Sequence, residues 1–415
     1  MNLDDDARFD DALREFLRHR AADTGAIRDA SSMSAAIALR MPRQERTRDR
    51  IWAGRLVLVA ILVSLALLAA ATLLVGSRRP PAPPSAVGNG AIAYATQSGL
   101  SLVYVVRPGH EPRQIAPSES GVGNNVVCPT FSPDGTKLAV GMPGGSIVVL
   151  SINERGDVGK GSRLPSRASE APHCPAWAPD GSAVAFLDGS ALEIDPVVGE
   201  SRRIEGWERA GGTDAAAFLI DYPPDRAVQW SPDGSAIAVA RPSGTWLVPV
   251  AGAAPRRLHE APARTVSWSP DSTRFVVWTL RGILVISASD GVVEATLPPG
   301  SQPVWSPRGD RIAYEDDGGV IVIRPDGSDP RVVAEYGYDI TWSPDGMQIL
   351  YIRDGCEGSV CPYAHGYAMM SQPINADGNP DGDAVIVVPM VEIASERSYP
   401  PAQSFSWQPV PQSVP

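Results

Sequence analysis

PVWSPRGDRIAYEDDGGVIVIRPDGSDPRVVAEY, residues 303–336, holds one complete structural unit. Its opening, PVWSPRG, reads as a strand that ends in a tight turn. Pro is preset for the second turn position, Asp-like residues tolerate the third, and Gly supplies the unusual backbone conformation that follows. The runs DRIAYED, GGVIVIRPDG and PRVVAEY that come next are alternating or β-branched, so the unit reads as a four-stranded meander. The opening recurs as PTFSPDG (129–135), PAWAPDG (175–181), VQWSPDG (228–234), VSWSPDS (266–272) and ITWSPDG (340–346), with a truncated FSWQP at 405–409. Its aromatic anchors are Phe131, Trp177, Trp230, Trp268, Trp305, Trp342 and Trp407, spaced 46, 53, 38, 37, 37 and 65 residues apart. The three short spacings match the period of a propeller blade. A lone blade cannot bury both faces, so such units must stack in a ring.

The ends of the repeat region set the blade count. GAIAYATQSGLSLVYVVRPGHEPRQIA (90–116) carries the second, third and fourth strands of a blade without a first. FSWQP is a first strand with nothing after it. Together they form one blade, which closes the ring and removes exposed sheet edges. The expected fold is all-β, a seven-bladed propeller over 91–409 followed by a tail at 410–415; insertions in the longer spacings leave six or eight blades open.

These W-S-P-D-G units, with following runs such as IAVA, IAYE and ILYI and turns such as RPDGSDPRVV, resemble TolB-like (WD40-like) propeller repeats. The departures are mild: Ser272 stands for the turn Gly, Arg308 for the Asp, Ala178 for the Ser and Phe131 for the Trp. The resemblance implies the fold over about 90–409. It implies no activity, because this repeat serves many functions.

Residues 56–77, LVLVAILVSLALLAAATLLVGS, carry no charge. Twenty-two helical residues span about 33 Å against a hydrocarbon core of about 30 Å. A helix apolar on every face is rare in soluble domains, and the stretch begins too deep in the chain for a cleaved signal peptide. One transmembrane helix is expected within 52–77. Arg40, Arg43, Arg46, Arg48, Arg50 and Arg55 precede it and only Arg78 and Arg79 follow, which keeps the N-terminus in the cytoplasm and places the propeller outside the plasma membrane. The Pro-rich 78–90 is the spacer.

The tail, 1–51, carries Phe9, Leu13, Phe16 and Leu17 on one helical face, a candidate contact for a cytoplasmic partner. Residues 1–55 hold 11 Arg against 10 acidic residues, leaving 25 basic against 37 acidic residues beyond them. An acidic ectodomain lacks the electrostatic footprint for nucleic acid.

Four Cys lie in the expected ectodomain, an oxidising setting. Cys128 and Cys174 fall three residues before their anchors, at equivalent places on neighbouring inner strands, which invites a disulfide between blades. Cys356 and Cys361 could close a small loop, or join His365 in a three-ligand metal cluster that lacks a fourth ligand. Asp377, Asn379, Asp381 and Asp383 copy half of a calcium loop, but position 12 is Val388 and the stretch aligns with an ordinary interstrand turn. The Trp anchors are read as blade core, since their offset from the turn is fixed. No G-x-S-x-G occurs, no room for a hydrolase domain follows residue 409, and no His is paired with a nucleophile, so no enzyme, catalytic residue, cofactor or metal is expected.

Two functions follow. The first is a non-catalytic, membrane-anchored binding or sensing protein whose propeller recognises a protein or envelope ligand and whose tail signals. That arrangement is similar to transmembrane anti-sigma regulators, although the tail has no Cys and so no H-x-x-x-C-x-x-C zinc signature. The alternative is a TolB-like envelope assembly or scaffold factor in which the tail only anchors.

Overall fold

The computed structural model describes residues 87–95, 102–115, 127–142, 146–164, 174–188, 191–204, 226–316, 319–354, 366–392 and 405–411. All belong to the second of the two units into which the chain divides, 80–415. The expected tail, transmembrane helix and spacer, together with Phe9, Leu13, Phe16, Leu17, Cys356, Cys361 and His365, lie outside the described residues.

The described residues form seven four-stranded antiparallel sheets. Blade 1 contains β1 (Val87–Ala95), β2 (Val103–Val106) and β3 (Arg113–Gln114). Blade 2 is β4 (Val127–Phe131), β5 (Lys137–Met142), β6 (Ser146–Ile152) and β7 (Val158–Arg163). Blade 3 is β8 (Ala176–Trp177), β9 (Ala183–Asp188), β10 (Ala191–Pro196) and β11 (Arg202–Ile204). Blade 4 is β12 (Val228–Trp230), β13 (Ala236–Arg241), β14 (Gly244–Pro249) and β15 (Arg256–His259). Blade 5 is β16 (Ala263–Trp268), β17 (Arg274–Thr279), β18 (Gly282–Ser287) and β19 (Val293–Thr296). Blade 6 is β20 (Ser301–Trp305), β21 (Ile312–Asp316), β22 (Gly319–Ile323) and β23 (Arg331–Glu335). Blade 7 is β24 (Gly337–Trp342), β25 (Gln348–Asp354), β26 (Gly366–Pro373) and β27 (Val385–Glu392). The last strand, β28 (Phe405–Pro411), completes blade 1 by pairing antiparallel with β1, Ile92 opposite Trp407 and Tyr94 opposite Phe405. The chain is a seven-bladed β-propeller closed by strands from both ends of the repeat region.

Apolar packing follows the ring. Seven clusters of buried side chains each join two neighbouring blades, as Phe131 and Leu138 of blade 2 pack with Val103 and Val105 of blade 1. Among the described residues no cluster stands at a common centre, so their packing is distributed over blade-to-blade contacts. Gln408 locks the closure: it is buried, its Oε1 accepts from the Ala91 backbone at 3.0 Å, and its Nε2 donates to the carbonyls of Gly135 and Asn153 at 2.8 and 3.0 Å.

The turn chemistry explains the repeated motif. The Gly135 N–H donates to the Ser132 carbonyl at 2.8 Å, and the Ser132 hydroxyl donates to Asp134 Oδ1 at 2.5 Å. The same pair recurs as Ser231–Asp233, Ser269–Asp271 and Ser343–Asp345. Ser272 takes the turn-Gly conformation at φ 61°, which glycine would hold without steric cost. Where Arg308 replaces the Asp, Ser306 turns to Asp310 instead, at 3.4 Å. Where Ala178 replaces the Ser, Asp180 accepts from Ser182.

The stretch with half of a calcium loop is a turn. Asn375 Oδ1 accepts the N–H groups of Asp377 and Asn379 at 2.9 and 3.1 Å, and a bridge joins Ile374 to Pro380. The buried Arg311 donates to the Asp377 carbonyl at 2.6 Å, which ties this turn of blade 7 to blade 6.

Candidate binding channel

The seven first strands, β28, β4, β8, β12, β16, β20 and β24, are the innermost of their blades. Residues on or beside six of them, all but β16, line an open cavity of about 460 Å³. It is lined by Cys128 to Pro133, Cys174 to Trp177, Val228 to Trp230, Ile340 to Trp342 and Phe405 to Trp407, with Arg226, Gln302 and Asp339. This is the central channel.

Inner strands hold one another through backbone groups that the channel would otherwise leave unpaired. Ser406 Oγ accepts from the Phe131 N–H at 3.1 Å, Gln229 Oε1 from Trp268 at 3.2 Å, and Ser267 Oγ from Trp305 at 2.9 Å. The indoles of Trp177, Trp268 and Trp342 donate back to the carbonyls of Thr130, Gln229 and Val304. Trp407 donates to Gly90 and Trp305 to Gly309. Trp230 differs: its indole nitrogen is buried and has no partner among the described residues. Phe131, Trp177, Trp268, Trp305, Trp342 and Trp407 are buried, and Trp230 is half-buried. Five of the seven anchors, all but Trp268 and Trp305, also face the cavity.

A bulge near the start of several inner strands aims side chains at their neighbours. Register shifts fall between Val127 and Thr130, Ser301 and Val304, and Tyr338 and Thr341. Within them Cys128, Gln302 and Asp339 hold left-handed backbone, φ 51°, 49° and 51°. Each precedes its anchor by three residues. Such bulges re-aim side chains, and a non-glycine residue held there costs of order 1–3 kcal/mol that surrounding structure must offset. Cys128 is turned toward blade 3, where it is disulfide-bonded to Cys174 with Cα atoms 5.0 Å apart. Gln302 is turned toward blade 7 and donates from Nε2 to Asp339 Oδ1 at 3.3 Å.

Beside that second contact lies a buried acid. Glu315, on β21 opposite Ser301, accepts the Asp339 N–H at 2.5 Å and the Ser301 hydroxyl at 3.3 Å. Burial, reinforced by the charge of Asp339, pushes the Glu315 carboxyl up to about 8. Burial likewise raises Asp339 to about 7, against the Gln302 hydrogen bond and the positive Arg226. Two adjacent carboxyls resist ionising together, so the pair holds a proton at neutral pH, chiefly on Glu315. Arg226, preceding β12 in blade 4, donates from Nη2 to the Ile340 carbonyl at 2.6 Å and supplies the cation facing both acids.

Sequence reading singled out the two channel cysteines and missed Arg226, Gln302, Glu315 and Asp339. A signal was available, since Gln302 and Asp339 share the offset that marks Cys128 and Cys174. Of the propeller histidines that are described, His110 is exposed, and burial lowers His259, whose Nδ1 accepts from Ala261 at 3.2 Å.

No family model matches the chain, and no curated protein does. Solved structures do. The likeness is one of fold. A protein described as a TolB from Agrobacterium tumefaciens is 19% identical, with 56% of this chain and 86% of that chain covered and a TM-score of 0.39. A protein described as a 6-phosphogluconolactonase from Bacteroides uniformis is 15% identical over 73% of this chain and 98% of its own, TM-score 0.49. The β-propeller domain of Myceliophteria thermophila Cps50 (Swd1) is 13% identical over 66% and 90%, TM-score 0.46. Likeness at this level carries no argument about activity, and the blade count stands on the strand order described above.

Proposed function

We propose that this chain is a membrane-anchored, non-catalytic binding protein whose propeller recognises a protein or envelope ligand outside the plasma membrane, at the channel. The observation that carries the reading is the channel lining. Apolar walls of Val228, Ile340 and Phe405 surround a few convergent polar groups from separate blades, Arg226, Gln302 and Asp339, which is the make-up of a preformed recognition site. Membrane anchoring rests on the uncharged stretch 56–77 and the Arg asymmetry around it, and signalling on the apolar stripe of Phe9, Leu13, Phe16 and Leu17.

A photo-crosslinking residue placed at Thr341, which lines the channel, tests the reading in living cells. A discrete adduct is expected there and none from Val332 on the outer strand β23, which is 59% exposed. Equal adducts from both places would overturn the channel as the recognition surface. Replacing Phe16 and Leu17 with Ser tests the signalling part: a cellular phenotype that does not change leaves the tail as an anchor alone.

A further inference from the structure

The channel already holds a cation, and it arrives from the far side. Arg226 belongs to blade 4, whereas Glu315 belongs to blade 6 and Asp339 and Ile340 to blade 7. In a ring of seven, blades 4 and 7 are separated by two blades one way and three the other, so a side chain joining them spans the channel. Its Nη2 meets the Ile340 carbonyl at 2.6 Å, and its charge acts on both carboxyls. The receiving side is a set of acceptors: a backbone carbonyl and two carboxyls, with the Gln302 amide already given to Asp339. A guanidinium or ammonium is all donor and no acceptor, which is the complement of such a set. Gln302 and Asp339 reach it from left-handed backbone, so the fold holds two uncommon conformations to build this place.

Resting on the reading of the channel as the recognition surface, we propose that the acceptor set of Ile340, Asp339 and Glu315 is a socket for a guanidinium or ammonium group, filled by Arg226 in the free chain, and that a protein partner engages the channel by inserting a basic side chain in its stead. Arg226 then acts as an internal competitor. Apparent affinity falls by the fraction of molecules in which the socket is already filled, so removing the competitor raises it. Protons compete for the same carboxyls, which hold one at neutral pH. An inserted cation therefore binds better as the solution becomes mildly alkaline.

The probes are N-acetyl-arginine amide and N-acetyl-norleucine amide, titrated calorimetrically into the full-length protein. Arg226→Ala should bind the arginine amide about tenfold or more tightly than the native chain. The norleucine amide should not bind. The gain should grow from mildly acid to mildly alkaline solution, and adding Asp339→Asn should abolish it. A specific gain of binding does not arise from misfolding, and Arg226→Met, which keeps an unbranched side chain without a donor, replaces the Ala variant if that one does not fold. No gain on removing Arg226, or a gain that survives Asp339→Asn, overturns the socket. A discrete crosslink at Thr341 together with no gain would sink the socket and leave the channel reading standing. Loss of that crosslink with the gain intact would overturn the channel as the surface a partner engages and leave only a cation socket.

Discussion

Cys128 and Asp339 occupy the same position in their blades, three residues before the buried aromatic, and both hold left-handed backbone at φ 51°. One bulge geometry serves two linkages. In blade 2 it brings a sulfur to Cys174, and in blade 7 it brings a carboxyl under the Gln302 amide. The ring is tied covalently at one side and by a polar contact at another.

The covalent tie predicts a redox-dependent stability. The Cys128–Cys174 bond closes a sequence separation of 46 residues. Constraining an unfolded loop of that size is worth roughly 2–4 kcal/mol. Cys128→Ala with Cys174→Ala should lower the unfolding free energy of the full-length protein, read from a urea titration, by that amount, and reductant should do the same to the native chain alone. Peptide mapping without reductant that finds both thiols free would refute the bond. The bond also reports location: removing residues 56–77 should leave it unformed in a cytoplasm kept reducing.

Stability should fall as the pH rises through neutral. Glu315 and Asp339 have folded-state pKa values of about 8 and about 7, above their ordinary values of 4.5 and 3.8. The native state therefore binds more protons than the unfolded chain from the ordinary carboxyl range up to those values. That contribution is full below the ordinary carboxyl values and is lost progressively as pH rises to the folded-state values, at a slope of at most about 1.4 kcal/mol per pH unit for each group. His259, lowered by burial, works in the opposite sense below its ordinary 6.5, so the window to measure lies above it. Chemical unfolding at about pH 6.5 and about pH 9 should show the loss, and Glu315→Gln should flatten it. A Glu315→Gln slope equal to the native one would remove Glu315 from the account.

Gln408→Leu tests the closure. The substitution keeps the volume near β28 but leaves the Ala91 N–H and the carbonyls of Gly135 and Asn153 without their partner. Each buried group left unmade costs about 1–3 kcal/mol, so a loss of several kcal/mol is expected. Removing 402–415 altogether should leave β1 unpaired on its inner side and the protein poorly soluble. A truncated chain that melts like the full one would show that β28 does not hold the ring.

Calcium should leave the melting temperature unchanged, because Asn375 and Arg311 hold this stretch as a closed interstrand turn. Arg311→Met should instead destabilise. It removes the hydrogen bonds of the buried guanidinium to the Asp377 carbonyl and to the half-buried Asp329, which keeps Arg324 and Arg331 as partners, and losing a buried partner costs about 1–3 kcal/mol. A calcium-dependent rise in melting temperature would reverse the reading of residues 377–383 as a plain turn.

The blades were legible in the sequence because their signals are local. Pro, Asp and Gly at fixed offsets dictate a turn within four residues, and the aromatic before each turn packs in the same place in each blade. The shared first blade was legible too, since a lone FSWQP strand and a blade lacking its first strand complete one another. The offset of Cys128 and Cys174 fitted equivalent places on adjacent strands, and only geometry was needed to bring them within bonding reach. Arg226, Gln302, Glu315 and Asp339 were not legible: up to 113 positions part them, and no motif relates them. Ring closure sets blade 4 across from blades 6 and 7, and burial, which no single residue carries in its name, raises the two carboxyls. The repeat determined how each blade folds; only the closed ring decided which residues of different blades face one another across the channel.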